Sequence, residues 1–374
     1  MRTWAEINLD NLKHNIKTLQ KYAGNRAIMG VVKADAYGHG AVEVVREMSD
    51  EGIKIFGVAC VDEARELRVN GIKDEIMILG CTPIEEWESA VNQDIQLTLA
   101  SFEEIKELEK MKIYPKVHIA LETGMGRIGF EVEEAVEAIN YIKDKKLAEI
   151  IGVFSHLSVA DVEEEDAYTK EQLRKFSIFE DMNIKYRHIL NSAGTLNYND
   201  LTKSNVVRGG IILYGILPCD GDATEFKPVM TLKSKILFMK KLKEPKFISY
   251  KKTYLGKAGE LIATIPVGYA DGLDRRFSNG GTVLIKGIEC PIVGVVCMDQ
   301  IMVKVPVELH DKVKLGEEVT IFWDNYNEKA KDIGTISYEL VTAISTRVER
   351  VYIKNGIVVE KRGLLGREEN GSKS

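Results

Sequence analysis

The chain has 374 residues, 45% of them apolar and 29% charged. That is the composition of a folded protein long enough for two domains, or for one barrel with an appendage. Lys and Arg number 51 against 57 Asp and Glu, and the net charge of −6 argues against a generally basic nucleic-acid binder or a polybasic membrane-surface protein. Nothing approaches a transmembrane run of apolar residues, and the opening MRTWAEINLDNLKHN has no signal-peptide core. Cys60, Cys81, Cys219, Cys290 and Cys297 are scattered, odd in number and free of CxxC spacing, which predicts reduced thiols, no zinc site and a cytoplasmic setting.

Up to about residue 215 the chain alternates two textures. Apolar or β-branched runs at 27–32, 53–59, 75–79, 116–121, 150–155, 186–190 and 205–208 read as strands. Charged segments with helical spacing lie between them, at 9–22, 61–70, 102–111, 132–143 and 166–180. This α/β alternation predicts βαβ units and a parallel sheet buried on both faces, and about eight units over this length suit an N-terminal (β/α)8 TIM barrel. Periodicity alone leaves a doubly wound open sheet as the alternative. From about Met230 the runs 233–239, 261–266, 281–285, 292–296, 301–305 and 318–322 mostly lack helical spacers, as expected of a C-terminal all-β domain. Residues 218–228 read as the linker, and the final dozen as a frayed polar tail. The expected division is 8–229 for the barrel and 230–374 for the β domain, with the 1–7 strand joining the latter.

In parallel α/β proteins functional residues gather at the carboxyl ends of the strands. Those positions hold Lys33, Tyr37 and His39; Glu122 and Arg127; His156; Asn191 and Ser192; and Arg208, Gly210 and Ile211. Taken singly, each has an ordinary reading as a solvated edge charge, a structural histidine or a turn glycine. Convergence on one face is what raises them to candidates. The segment Gly124-Met-Gly126-Arg-Ile-Gly129 matches GxGxxG, yet lacks the acid at the next strand end that a dinucleotide fingerprint requires. In the second half Tyr254, Tyr269, Asp271, Cys297, Met298, Asp299 and Tyr338 sit in segments unlike plain strands.

The segments AEINLDNLKHN, VVKADAYGHG, LETGMGRIGF, FSHLSVAD, NSAG, VVRGGIILYG, IPVGYADG, VCMDQ and GTISYEL occur in order from Thr3 to about Tyr352. Together they resemble alanine racemase, the fold-type III pyridoxal-phosphate enzyme. The resemblance implies a barrel joined to a β domain, in a homodimer with shared active sites. It implies that Lys33 carries pyridoxal 5′-phosphate, with Tyr37, Ser192, Gly210, Ile211 and Tyr338 on the phosphate, Asn191 beside them and His188 packed on the ring. Arg208 would face the pyridine nitrogen. Tyr254, with His156 beside it, would be the second base, and Arg127 and the Met298 N–H would take the substrate carboxylate. Asp161, Tyr269 and Arg275 would line the substrate entrance.

Racemisation removes the α-proton from one face and returns it to the other, so two bases must flank the α-carbon. Lys33 and Tyr254 ordinarily titrate near pH 10, and a cationic neighbourhood is expected to lower both. The sequence departs from the family at three places, one of them YKKTY (250–254) in place of a glycine-containing version. Ala120 replaces a carbamylated lysine or asparagine that steadies the arginine, leaving Glu122 as the neighbour expected to substitute. Val295 replaces an entrance arginine, which opens the alternative of a related racemase acting on serine, ornithine or lysine, or with broad specificity. A pyridoxal-phosphate carrier without turnover would resemble the barrel alone, and the complete β domain counts against it.

Overall fold

The structure, a computed structural model, describes residues 1–218, 225–363 and 366–367. Residues 219–224 of the expected linker, Cys219 among them, and nearly all of the expected frayed tail lie outside the described residues. The chain forms two compact units, one of Leu12–Ala36 and Ala41–Phe226, the other of Met1–Asn11, Tyr37–Gly40 and the residues from Lys227 onward. Among the described residues no helix is long and apolar enough to cross a membrane.

Strand β1 (Thr3–Asn8) opens the chain and belongs to the second unit. The first unit is built on eight parallel strands: β2 (Ala27–Val31), β3 (Ile55–Val58), β4 (Glu75–Ile78), β5 (Ile95–Leu99), β6 (Lys116–Ala120), β7 (Glu149–Phe154), β8 (Tyr186–His188) and β9 (Val206–Gly209). They lie in the order β8-β7-β6-β5-β4-β3-β2-β9. The backbone bonds Asn205 N→Arg187 O and Arg208 N→Leu190 O join β9 back to β8, which closes the sheet into a barrel. Closure decides against the open-sheet alternative. Met29, Ile55, Met77, Ala120, Phe154 and Val206 form one buried cluster contributed by six of these strands, so the barrel is filled and is not a pore.

The helices follow their periodicity. Leu9–Ala23 buries Leu12, Ile16, Leu19 and Ala23 along one stripe. Phe102–Lys110 opens with a full capping box, in which Ser101 accepts from the Glu104 N–H and the Glu104 carboxylate accepts from the Ser101 N–H. The expected helix over 166–180 ends at Phe176 and tightens into a 3-10 turn over Ser177–Phe179. Strand β5 is absent from the seven apolar runs picked out of the sequence, because Gln96 and Thr98 interrupt it. Both are buried in the structure.

The second unit carries an eight-stranded sheet in the order Ile288–Pro291, Thr282–Ile285, Glu318–Phe322, Met230–Lys235, β1, Glu349–Lys354, Ile357–Gly363 and Gly366–Arg367. β1 therefore lies inside the C-terminal sheet, antiparallel to Met230–Lys235 and parallel to Glu349–Lys354. A three-stranded sheet combines Phe238–Lys241, Leu261–Ile265 and Ile301–Val305, and Lys246–Ile248 pairs with Tyr254–Gly256. Two expectations need correction. The run 233–239 is not one strand, since Met230–Lys235 leaves the first sheet at Ile236 and Phe238–Lys241 enters the second. The run 292–296 makes only an isolated bridge from Ile292 to Val303. The chain turns at Gly294 (φ +80), where a Cβ would lie 2.7 Å from the Ile248 carbonyl oxygen.

Candidate active site

In the barrel unit the carboxyl ends of the strands present the expected groups. Lys33 follows β2, Arg127 lies in the loop after β6, His156 follows β7, Asn191 and Ser192 follow β8, and Gly210 and Ile211 follow β9. Burial pushes the half-buried Lys33 amine below the ordinary lysine range; the charge of Arg127 lowers it further, Glu63 opposes, and Arg208 adds a smaller lowering effect. Burial likewise pushes the His156 imidazole down to about 3, with Arg208, Arg127 and Lys33 acting in the same direction. These four side chains thus share one electrostatic environment, which disfavours the charged forms of both amine and imidazole.

The backbone after Lys33 is unusual. Ala34, Asp35, Ala36 and Tyr37 all have φ between +52° and +54°, a left-handed turn made without glycine. Each such residue costs roughly 1–2 kcal/mol, and the turn persists because its surroundings hold it. The Glu63 carboxylate accepts from the Ala34 N–H at 2.7 Å, and Asp35 accepts from the Ala41 N–H at 2.8 Å. Nothing local announces this turn, since of its four residues only Asp35 is of a type that readily adopts the left-handed region.

Arg208 is 4% exposed, and its two terminal nitrogens bond within the barrel. It donates to the carbonyl oxygens of Ser155, His188 and Ile189 at 2.7–3.0 Å, to His188 Nδ1 at 2.8 Å and to His156 Nδ1 at 3.1 Å. His188, expected to pack on a cofactor ring, is instead wholly buried, with its ring stacked on Phe154 at 5.2 Å. Its position on the last residue of β8 points it at Arg208 inside the barrel. Asn191 caps the helix Ser192–Asn197, accepting from the Gly194 N–H and donating to the Leu157 carbonyl. Ser192 Oγ accepts from the Gly210 N–H at 3.2 Å, which brings two strand-end loops together.

The GxGxxG segment has positive φ at all three glycines, and the Glu122 carboxylate accepts from the N–H groups of Gly124, Gly126 and Arg127 at 2.5–3.2 Å. The loop's donors already hold a carboxylate, and the next helix starts only at Val132. This is no dinucleotide fingerprint. Glu122 supports Arg127 through the loop backbone, not as the side-chain partner expected from the Ala120 substitution.

In the second unit Tyr37 and Tyr338 have ring centroids 6.1 Å apart. Met298 is exposed, and its carbonyl accepts from the Ala270 N–H at 3.0 Å beside a matching bond from Tyr269 to Cys297. Asp271, 1% exposed, accepts from Arg2, Arg347 and the Gly268 N–H and so fixes the turn that holds this loop. Tyr269 and Arg275 are exposed in this unit, as is Asp161 in the barrel unit. Val295 is buried in its unit, so it presents no open face where an entrance arginine was expected.

Tyr254 departs from expectation most clearly. Its neighbourhood is anionic: the phenol donates to Glu260 at 3.0 Å, and Glu260 pairs with Lys304 at 2.9 Å. Burial and then Glu260 push the phenol above its ordinary value, whereas a cationic setting was expected to lower it. In Glu260→Gln the carboxylate is gone and the Tyr254 phenol is expected to ionise at lower pH. Ultraviolet difference titration against Tyr254→Phe reads this directly, and an unchanged titration would remove Glu260 as the cause.

Comparison with known proteins matches residues 7–218 to the alanine racemase N-terminal domain and residues 229–352 to the alanine racemase C-terminal domain. The chain belongs to the alanine racemase family. It is 39% identical to an alanine racemase of Fusobacterium nucleatum, over 94% of this chain and 100% of that protein. An alanine racemase of Clostridium novyi is 42% identical over 97% of this chain and 98% of its own length. Among solved structures, alanine racemase of Clostridium difficile superposes with a TM-score of 0.91 at 38% identity, covering 98% of this chain and 99% of that one. The Bacillus anthracis alanine racemase with bound L-Ala-P gives 0.90 at 35%, covering 97% and 98%. The family was legible from the motifs. What sequence reasoning missed are the half-buried Glu75 and the buried Gln96 and His118, linked to Arg208 through His188.

Proposed function

We propose that this chain is a pyridoxal 5′-phosphate-dependent alanine racemase that interconverts L- and D-alanine and supplies D-alanine for peptidoglycan. The observation that carries the reading is Lys33 at the barrel mouth, its amine held below the ordinary range by burial and by Arg127 and Arg208. The donor set fits the cofactor. An amine must be neutral to attack an aldehyde, and the two guanidinium groups and the Ser192 hydroxyl suit an anion that carries a phosphate. Lys33 would hold the cofactor, with Tyr37, Ser192, Gly210, Ile211 and Tyr338 at the phosphate and Asn191 supporting that loop. When bound, pyridoxal phosphate supplies an electron sink that acidifies the substrate α-proton.

The remaining work falls to the chain's own residues. Lys33 exchanges a proton on one face of the α-carbon and Tyr254 on the other, with His156 beside the phenol. Arg208 is a donor only and stays charged, so it can give the ring nitrogen a hydrogen bond but not a proton. Arg127 and the Met298 N–H take the substrate carboxylate, and Asp161, Tyr269 and Arg275 line the entrance. The domain assignment is 8–229 for the cofactor barrel and 230–374 with the 1–7 strand for the β domain. Tyr254 and Met298 would serve the partner protomer of a homodimer. A cytoplasmic setting suits the free thiols of Cys60, Cys81, Cys290 and Cys297.

The test is a kcat/KM panel over alanine, serine, ornithine and lysine. Alanine is expected to lead by roughly tenfold or more, the discrimination that a pocket achieves against added side-chain atoms. A lead for ornithine or lysine would transfer the assignment to the broader racemases.

A further inference from the structure

A single file of hydrogen bonds runs through the barrel core beneath the site. Arg208 Nη1 donates to His188 Nδ1 at 2.8 Å, and His188 Nε2 lies 3.1 Å from His118 Nδ1. His118 Nε2 lies 2.9 Å from Gln96 Oε1, and Gln96 Nε2 donates to Glu75 Oε2 at 2.7 Å. The other Glu75 oxygen accepts from Lys185 Nζ at 2.6 Å and from the Tyr186 hydroxyl at 2.8 Å. The file climbs from the first residue of β4 to the second of β5, the third of β6, the last of β8 and the third of β9. It thus crosses the barrel from the amino end of its strands toward the carboxyl end.

Chemistry fixes its direction. A guanidinium only donates, so His188 Nδ1 must offer a lone pair and the ring proton of neutral His188 sits on Nε2. That proton points at His118 Nδ1, which must then accept, so His118 also carries its proton on Nε2 and gives it to Gln96. The Gln96 amide completes the sense by donating to the carboxylate. Reversing either ring would set two N–H groups or two lone pairs against each other in a dry core. Burial pushes His118 down to about 3 and His188 well below its ordinary value, consistent with neutral rings.

The core is shaped around the file. A Cβ on Gly152 of β7 would lie 1.9 Å from His118 Nδ1, so the glycine leaves room for the ring. Tyr186 stacks on His118 at 6.0 Å, as Phe154 does on His188. Polar side chains in a barrel interior are costly to bury relative to branched apolar ones, and stability alone gives little reason for a continuous file that ends on Arg208.

We propose that Glu75, Gln96 and His118 are positioning residues for racemisation: they fix His188 as an acceptor and so lock the Arg208 guanidinium in the orientation that serves the reaction. The proposal rests on the alanine racemase reading. Gln96→Leu, three links away from Arg208, removes the acceptor that the His118 Nε2 proton faces. With only 6 histidines in the chain, ring-nitrogen shifts of ¹⁵N-histidine-labelled protein report each tautomer without any turnover. Wild-type His118 and His188 are expected as pure Nε2–H forms; in Gln96→Leu His118 is expected as a mixture, and the His188 Nε2 signal to shift as its hydrogen bond to His118 weakens. In the same variant kcat for alanine is expected to fall roughly tenfold to a hundredfold, the usual effect of losing a residue that orients a functional group, with KM nearly unchanged. His118→Asn keeps an acceptor near the Nδ1 position and is expected to retain more kcat than His118→Leu.

A wild-type His188 protonated at Nδ1, or titrating as a cation near neutral pH, would overturn the proposal whether or not any variant folds. So would full kcat in Gln96→Leu. Wild-type protein that leaves alanine unchanged would overturn the functional reading and the proposal together, and the tautomer spectra distinguish that failure from a wrong hydrogen-bond sense.

Discussion

Lys33→Ala is expected to lower alanine racemisation at least roughly 10³-fold, within the range that a positioned acid–base group contributes, and to abolish the visible absorbance of lysine-bound pyridoxal phosphate. Two losses coincide in this variant, the attachment point of the cofactor and the base for one face of the α-carbon. Because Lys33 lies at a strand end and is only half buried, the substitution should leave thermal stability nearly unchanged. The signature is therefore a folded protein without activity. Retention of even a tenth of wild-type turnover would show that another amine does this work. Added small amines offer an internal control, since restoring a proton acceptor at the vacated position should recover part of the exchange at the α-carbon.

Arg208→Leu is expected to damage the fold as well as the chemistry. The guanidinium is 4% exposed and donates to three carbonyl oxygens and two imidazole nitrogens. Leucine fills much of the volume but leaves those acceptors unpaired inside the barrel, a loss on the order of 3–5 kcal/mol. Against the 5–15 kcal/mol that stabilises typical domains, this should appear as a large drop in Tm or in the denaturation midpoint. Arg208→Lys keeps the charge as a single point and cannot span all five acceptors, so it should recover part of the stability while kcat stays low. A leucine variant as stable as wild type would show that the hydrogen bonds of Arg208 are dispensable to the fold.

The architecture was largely legible because its signal is periodic. Alternating apolar runs and amphipathic helices imply parallel units whatever their individual residues, and the strand ends then identify Lys33, His156, Ser192 and Arg208 as neighbours. The failures have specific causes. β5 carries no apolar signal because Gln96 and Thr98 break its pattern, and Gln96 belongs to the polar file beneath the site. The left-handed turn at residues 34–37 is held by Glu63 and Asp35, which periodicity cannot reveal. The run 292–296 is apolar enough for a strand, yet the turn at Gly294 ends pairing after Ile292. The two-base mechanism predicts a cationic setting for Tyr254, whereas the structure puts an anion beside it, Glu260, six residues along the same segment.

The central claim is that this chain racemises alanine through two opposed bases. It is tested most directly by incubating purified protein and pyridoxal 5′-phosphate with pure L-alanine, and separately with pure D-alanine, in heavy water. Chiral separation and mass spectrometry then follow both enantiomers. The expected result is convergence of both reactions on equal amounts of L- and D-alanine, with solvent deuterium at the α-carbon of the enantiomer formed. Protein that binds the cofactor at Lys33 yet converts neither enantiomer would contradict it.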